Sequence, residues 1–394
     1  MISEFRRWAL LAVSMLAQAT SAFFVHGTAF LIPELHGRHR LTLVEAGVVV
    51  AMPTIGTMLT LIAWGAAVDR FGERRVLVVG TALTAVAGAG AALTASSMIM
   101  ISVFLLLGGM AAASTNAASG RVVVGWFPAH RRGLAMGIRQ MAQPLGVGLA
   151  AITVPTLAPG YGIGAALWLA AALAIAAAGL SYLVVLDPAR PERSDPAAAG
   201  QLANPYRSGG FLWRVHAVSV LLVVPQFMVW TFGLVWLIGE RGWSPGAAGT
   251  LIAITQVLGA LGRIAAGQLS DRVRSRMRPL RWVAIAAAAT MIMLAAADQF
   301  DSPAAVVLLV LATVITVADN GLAFTAIAER AGPFWSGRAL GAQNTAQFLT
   351  GSLVPPVLGA AITVLGFPLA FALTALCPAV AVSLVPVRQE ELIS

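Results

Sequence analysis

Lysine is absent from all 394 residues, so the 25 basic side chains are arginines. Charge of either sign is scarce: 10% of residues are charged, against about 25% in an average soluble protein. A soluble chain of this length needs more polar surface, which excludes an ordinary cytosolic enzyme and a disordered chain. The single cysteine, Cys377, lies in an apolar stretch and excludes a disulfide framework and a thiolate metal site. No glycine-rich phosphate loop with a lysine is present, so ATP does not drive this protein. No His or carboxylate cluster has metal-ligand spacing, and no Ser/His/Asp set sits in a plausible water-filled active site. Neither a cofactor nor a metal is expected, and the chain does not read as an enzyme.

What the chain has instead is apolar length. Hydrophobic residues make up 59% of it, and the mean hydropathy is +0.85. A membrane helix needs about 20 mostly apolar residues. Cutting at charged, Gly and Pro clusters leaves twelve such runs, at 8–33, 44–67, 75–96, 98–125, 134–157, 162–186, 212–238, 246–269, 280–298, 303–328, 338–362 and 365–386. The first is too long for a signal peptide and reads as a retained helix.

A net charge of +9 would suggest nucleic acid in a soluble protein. Here the position of the arginines decides. The loops after runs 2, 4, 6, 8 and 10 hold Arg70, Arg74 and Arg75, then Arg131 and Arg132, then Arg190, Arg193 and Arg207, then Arg272 through Arg281, then Arg330. The alternate loops carry only Arg38, Arg40 and Arg241. Positive loops face the cytoplasm, so both termini are expected there. Nucleic acid is not an expected partner; the lipid bilayer is. Arginine without lysine reads as a GC-rich bacterial genome, and the expected location is the bacterial inner (plasma) membrane. The central stretch 187–211, rich in Pro, charge and small residues, reads as a cytoplasmic linker between six-span halves at 1–186 and 212–394.

The halves repeat. Gly65-Ala-Ala-Val-Asp69-Arg70-Phe-Gly72-Glu73-Arg74-Arg75 after run 2 parallels Gly267-Gln-Leu-Ser-Asp271-Arg272-Val-Arg274 after run 8. Gly137-Ile-Arg139-Gln140-Met-Ala-Gln143 parallels Gly341-Ala-Gln343-Asn344-Thr-Ala-Gln347, and Thr115-Asn116 parallels Asp319-Asn320. The offsets stay within 202–204 residues.

A G-x-x-x-D-R-x-G-x-R-R loop after the second of twelve helices, with a degenerate copy after the eighth, resembles the major facilitator superfamily of secondary transporters over the whole chain. The resemblance implies an all-α membrane fold of two pseudo-symmetric six-helix bundles, a substrate site between them near the midplane, and alternating access. Helices 1, 4, 7 and 10 would line the cavity. Three departures stand out. Glu73 replaces a usual basic residue, run 4 has no arginine before Gly108-Gly109, and run 5 reads Gln143-Pro144-Leu-Gly146-Val-Gly148 where antiporters often carry Gly-Pro-x-x-Gly-Gly.

Polar groups at bilayer depth are expensive and usually functional or paired. Arg139, with Gln143 four residues on and Gln343 and Gln347 at the repeat positions, forms a donor set for an anion; alternatively it pairs with Asp319 or reaches lipid headgroups. Arg263, with Gln256 two turns earlier, stands at Arg-x-x-x-Gly-x-x-x-Asp. That spacing resembles the helix-8 arginine of monocarboxylate and oxalate/formate members, which implies an anion-binding role; a motif-stabilising ion pair is the other reading. Asp319, the only acid well inside a run, is a switchable gate pair, a proton carrier or a permanent salt bridge to Arg139 or Arg263. His26 is a coupling or a packing residue. Asn116, Asn320, Gln226 and Trp230 are candidate substrate-binding groups. Asp69, Arg70, Asp271 and Arg272 read as loop clamps that close one side of the transporter, and Arg121 as a contact to Asp69 or headgroups. The carboxylates are expected to accept hydrogen bonds from the N-terminus of a neighbouring helix.

The expected function is therefore secondary transport of a small organic solute, an organic anion of monocarboxylate type being favoured, with a proton as a possible partner and a monomer as the expected state. The alternative is a proton-coupled efflux antiporter for drugs or hydrophobic metabolites, suited by Trp230 and Trp236.

Overall fold

The computed structural model describes residues 3–41, 43–188 and 202–390. The middle of the expected linker, with Arg190 and Arg193, lies outside them. Helices occupy α1 (Glu4–Gly27), α2 (Ile32–Gly37), α3 (Leu43–Phe71), α4 (Glu73–Leu93), α5 (Met98–Ala112), α6 (Ser114–Trp126), α7 (Ala129–Arg139), α8 (Ala142–Tyr161) and α9 (Ile163–Val184). They continue with α10 (Phe211–Gly239), α11 (Pro245–Val273), α12 (Met277–Gln299), α13 (Ala304–Ile315), α14 (Asp319–Ala331) and α15 (Ser336–Leu384). Eleven stretches among the described residues are long and apolar enough to cross a membrane. The described residues contain no strand. The longest stretch is broken at Gly366, whose φ of 77° and ψ of 169° are non-helical. That left-handed φ is one that glycine adopts without steric cost.

Three long helices are interrupted, each for a local reason. Between α5 and α6, the Thr115 hydroxyl takes the carbonyl of Ala112 at 3.0 Å, competing with the helix ladder. Between α7 and α8, Pro144 has no N–H to give the carbonyl of Gln140, and the ladder fails there. Between α13 and α14, five consecutive β-branched residues, Thr313 through Val317, disfavour helix. The first and third interruptions occupy equivalent repeat positions.

Contacts group the chain into two units. The first comprises Met1–Phe127, Met141–Ala203 and Ala331–Thr345; the second comprises Pro128–Gln140, Asn204–Arg330 and Ala346–Ser394. Each unit thus takes in a short segment from the opposite half of the sequence.

In the first unit α4 packs on α5 and α9, and α1 on α8. Buried alanines such as Ala85 and Ala91 of α4 and Ala170, Ala174 and Ala177 of α9 let the backbones approach. In lipid, that close van der Waals packing and interhelical hydrogen bonds hold helices together. Phe23, Phe24, Ile101 and Leu105 fill the core around Ala150. A second cluster joins Leu10, Val68, Leu77 and Val122.

In the second unit α11 packs on α7 and α13, and α12 on α13. Met228, Trp236, Met291, Leu294, Leu309 and Phe371 form its core. The start of α12 is capped by the Glu390 carboxylate, which accepts from the Ser275 hydroxyl and the Arg276 and Met277 amides. Large apolar side chains such as Leu59, Val86, Ile152, Val257 and Leu376 are exposed along the helices, as lipid-facing positions require.

Candidate functional site

α3 and α11 end in the two copies of the loop motif. Asp69, near the end of α3, accepts hydrogen bonds from the amides of Gly337 at 2.8 Å and Arg338 at 3.0 Å, in the first turn of α15. Asp271, near the end of α11, accepts from Gly133 at 3.0 Å and Leu134 at 2.9 Å, in α7. Residues 133 and 337 correspond in the repeat, as do 134 and 338. A carboxylate beside helix amides near an N-terminus is charge-assisted and favoured by the helix dipole. The approach requires glycine on both sides: a Cβ on Gly65 would lie 2.2 Å from the Gly337 carbonyl oxygen, and one on Gly267 would lie 2.1 Å from that of Gly133.

Of the arginines expected at these clamps, Arg121 takes the contact to Asp69 that the sequence suggested, while Arg70 and Arg272 are replaced by Arg338 and Arg276. Arg121 meets Asp69 at 2.8 Å and Glu73 at 3.1 Å, and its second Nη donates to the Pro333 carbonyl at 2.8 Å. Arg338 Nε adds a 3.0 Å contact to Asp69. Glu73, the departure from the family pattern, is fully buried and fixes the other edge of Arg121. In the second clamp Arg276 contacts Asp271 at 2.5 Å, Ser270 Oγ at 2.7 Å and the Ala129 carbonyl at 2.7 Å. Glu329 joins Arg276 and Arg132, each at 3.3 Å. Arg70 and Arg272, the arginines adjacent to the aspartates, are exposed; Arg70 lies over the Phe71 ring. An arginine directly after the aspartate projects about 100° further round the helix, and side chains one residue apart do not face each other.

The polar groups within the helices fall into separate sets. In the first unit Ser119 Oγ donates to Gln18 Oε1 at 2.7 Å, linking α6 to α1. Gln143 and His26 stand 3.3 Å apart, Nε2 to Nε2. Asn116 is partly buried on α6, and Gln343 is fully buried on α15. In the second unit a chain of amides runs across three helices. Asn320 donates to Gln226 at 3.2 Å, and Gln347 donates to Asn320 at 2.9 Å and to Ser219 at 2.7 Å. Ser219 was not among the expected residues. It stands seven residues before Gln226, two helical turns on the same face, which is the signal that points to it.

The expected Arg139–Gln143 face assumed an unbroken helix. The ladder fails between them, and each has its own partners: Arg139 donates to Gln140 Oε1 at 3.2 Å and to Met136 Sδ at 3.8 Å, and lies 5.8 Å from the Phe324 ring.

Arg263 and Asp319 complete the second unit's set. Arg263 is 8% exposed. Its Nη1 donates at 3.1 Å to the Gln140 carbonyl that Pro144 leaves free. Its Nε is buried with no hydrogen-bond partner, and its Cζ is 6.0 Å from the Trp230 ring centre. The Trp230 indole N–H is also buried without a partner, and Asp319 is fully buried at the start of α14. Gln256 is partly buried and joins none of these bonds. Such a set can hold a ligand that brings acceptors to Arg263 and Trp230. It offers no nucleophile paired with a base, and the described residues contain no group of three or more His, Cys, Asp or Glu that could hold a metal ion.

Comparison with known proteins places this geometry. The chain is 51% identical over 382 residues to the MFS-type transporter Rv2994 of Mycobacterium tuberculosis, covering 97% of this chain and 85% of that one. It is 24% identical over 247 residues to the hexuronate transporter of Bacillus subtilis, covering 59% and 57%. It is 28% identical over 337 residues to the probable nitrate/nitrite transporter NarK2 of M. tuberculosis, covering 81% and 80%. Among solved structures, the proton:xylose symporter XylE superposes with a TM-score of 0.77 at 16% identity over 100% of this chain and 98% of that one, a likeness of fold. The Major Facilitator Superfamily model matches residues 11–355. With the repeated clamps and the all-helical fold, these matches establish that the chain belongs to the major facilitator superfamily, a family of multi-pass membrane transporters and not of enzymes.

Proposed function

We propose that this chain is a secondary active transporter of a small organic acid, working by alternating access in the bacterial inner membrane as a monomer. The reading takes twelve spans, the break at Gly366 dividing the last two, with halves at 1–186 and 212–394 and both termini cytoplasmic. One observation carries the substrate class: Arg263 is a buried guanidinium with one arm fixed on a main-chain carbonyl and Nε left without an acceptor. Arginine in that state is a carboxylate receptor, because its fork matches two carboxylate oxygens. Two relatives, the hexuronate and nitrate/nitrite transporters, carry anions in their names, which supports the same class.

The amides of Gln226, Asn320 and Gln347 border the substrate in this reading, with Arg139 as a second cation. Asp319 is the switchable partner of Arg263, and His26 is the candidate for proton coupling. Uptake of labelled organic acids into proteoliposomes tests the proposal: Arg263→Gln abolishes uptake. Uptake unchanged in that variant, with efflux of a hydrophobic dye, would favour a drug exporter instead. The pairing of Phe227 with Trp230, ring centres 5.9 Å apart, is the feature that suits that second reading.

A further inference from the structure

The end of α11 and the first turns of α12 hold five arginines between residues 272 and 281, and no acid follows Asp271 until Asp298. Arg276 is buried in the second clamp. Arg274, Arg278 and Arg281 are exposed, and among the described residues their guanidiniums meet no carboxylate or carbonyl. The repeat sets them apart. Arg278 and Arg74 are each the second residue of their helix, and Arg74 is fastened to the Tyr182 carbonyl at 2.6 Å. Arg274 follows Asp271 by the same interval at which Gly72 follows Asp69. Gly72 has a φ of 92°, and Arg274 holds a left-handed φ of 54° without being glycine. That conformation is sterically costly for a residue with a Cβ, so an arginine kept there points to a use for its side chain. Arg278 and Arg281 stand at the N-terminal end of α12, where the helix dipole disfavours cations. The cluster calls for an anion.

The same face continues into the bilayer. Trp282, Ile285 and Ile292 follow Arg278 and Arg281 at helical spacing and are 49%, 48% and 56% exposed. Exposed apolar side chains on a span lie against acyl chains, and tryptophan marks the level of the headgroups. Arg278, one turn before Trp282, therefore stands at the depth of the lipid phosphates. A soluble anion meets the arginines but makes no use of the apolar face. A zwitterionic phospholipid covers the face but brings its own cation to the arginines. An anionic phospholipid matches both. We infer that Arg274, Arg278, Arg281 and Trp282 form a binding site for one anionic phospholipid, its phosphate on the arginines and an acyl chain along Ile285 and Ile292. Basic clusters at the end of a span attract such lipids. Arg276, within the same segment, reaches Asp271 at 2.5 Å, so bound lipid braces the stretch that closes the second clamp. The inference rests on the membrane fold and is independent of the substrate class.

The test is native mass spectrometry of the purified full-length protein, titrated with phosphatidylglycerol and with phosphatidylcholine of the same acyl chains. The wild type takes its first phosphatidylglycerol more than about tenfold tighter than its first phosphatidylcholine, because each arginine near an anionic headgroup is worth about fivefold. Arg278→Gln combined with Arg281→Gln removes that preference and leaves phosphatidylcholine binding as it was. Arg274→Gly lowers phosphatidylglycerol affinity about fivefold and leaves the melting temperature equal or higher, since glycine adopts the left-handed backbone freely. Arg70→Gln combined with Arg75→Gln removes the same charge from the first copy of the loop and keeps the preference. Equal affinity of the wild type for the two lipids overturns the inference. Equal losses in the two double variants overturn it in favour of general charge attraction. Arg274→Gly that binds phosphatidylglycerol as the wild type does overturns it, as does displacement of the lipid by glycerol 3-phosphate at the same concentration, which would make the site one for a soluble anion.

Discussion

Arg263 and Gln140 are joined by a hydrogen bond that exists because of a third residue. Pro144 cannot return an N–H to the Gln140 carbonyl, and the guanidinium of Arg263 takes that carbonyl at 3.1 Å. Pro144→Ala restores the helical donor and competes with Arg263. The variant gains stability, by up to about 3 kcal/mol if the full cost of an interior proline is recovered. Uptake falls several-fold, because Arg263 is no longer held in one orientation. Thermal unfolding and transport measured on the same preparation check this. A higher melting temperature with unchanged uptake would show that the carbonyl does not orient the arginine.

We propose that Asp69 and Asp271, tied to helix amides, act on conformation rather than on ligand. Asp271→Asn replaces two charge-assisted amide contacts and the pairing with Arg276 by weaker neutral ones. The clamp weakens by about 2–4 kcal/mol, taking about 1.5–3 kcal/mol for each bond to a charged group and a partial loss. Transport is lost while substrate affinity is kept within about twofold. Asp69→Ala behaves alike. Equal losses of binding and transport would place the aspartates at the substrate instead.

The clamps were legible in the sequence as far as the repeat extended. Asp69 and Asp271 stood at matching positions, and a carboxylate after a glycine-led turn has few uses other than capping a helix. Of their arginine partners, Arg121 was legible as a contact to Asp69; Arg276 and Arg338 were not, because they reach the carboxylates from a later turn or another helix. Gln226, Asn320 and Gln347 could be chosen one by one as rare amides in apolar runs; that they form one chain could not, since helix rotation decides it. The interruption at Gln140 was readable from Pro144 alone. The carbonyl it frees, and the arginine that claims it, needed three dimensions.

Two glycines on one helical stretch separate packing from flexibility. A Cβ at Gly133 would lie 2.3 Å from the Gly267 carbonyl oxygen, whereas one at Gly148 meets nothing within 4 Å. Gly133→Ala therefore forces α7 and α11 apart and lowers both melting temperature and transport. Gly148→Ala gains about 0.5–1 kcal/mol from helix propensity and leaves transport intact. Parallel thermal scans of the two variants settle it; equal behaviour would refute the close-contact account.

Outside the spans, burial pushes the Tyr206 phenol up to about 12 from its ordinary 10.0. Its hydroxyl lies 2.9 Å from His216 Nε2, and the two rings stack. The folded state thus holds the phenol proton that the unfolded state releases, so stability falls as pH rises from about 10 toward 12. Difference absorbance between wild type and Tyr206→Phe isolates this titration. A phenol that ionises near 10 would mean the stacked contact is absent in solution.

The exchange of segments between sequence halves sets a timetable for biosynthesis. Asp69 emerges from the ribosome 268 residues before the Gly337 amide that satisfies it. At ~5–20 residues per second, that wait is roughly 15–50 s. The Gly133 segment is inserted 138 residues before Asp271. During that interval the first half holds a buried-type carboxylate and a helix segment whose partners do not yet exist. Proteolysis and insertase dependence should therefore concentrate on chains stalled before residue 337, and fade once the last clamp closes.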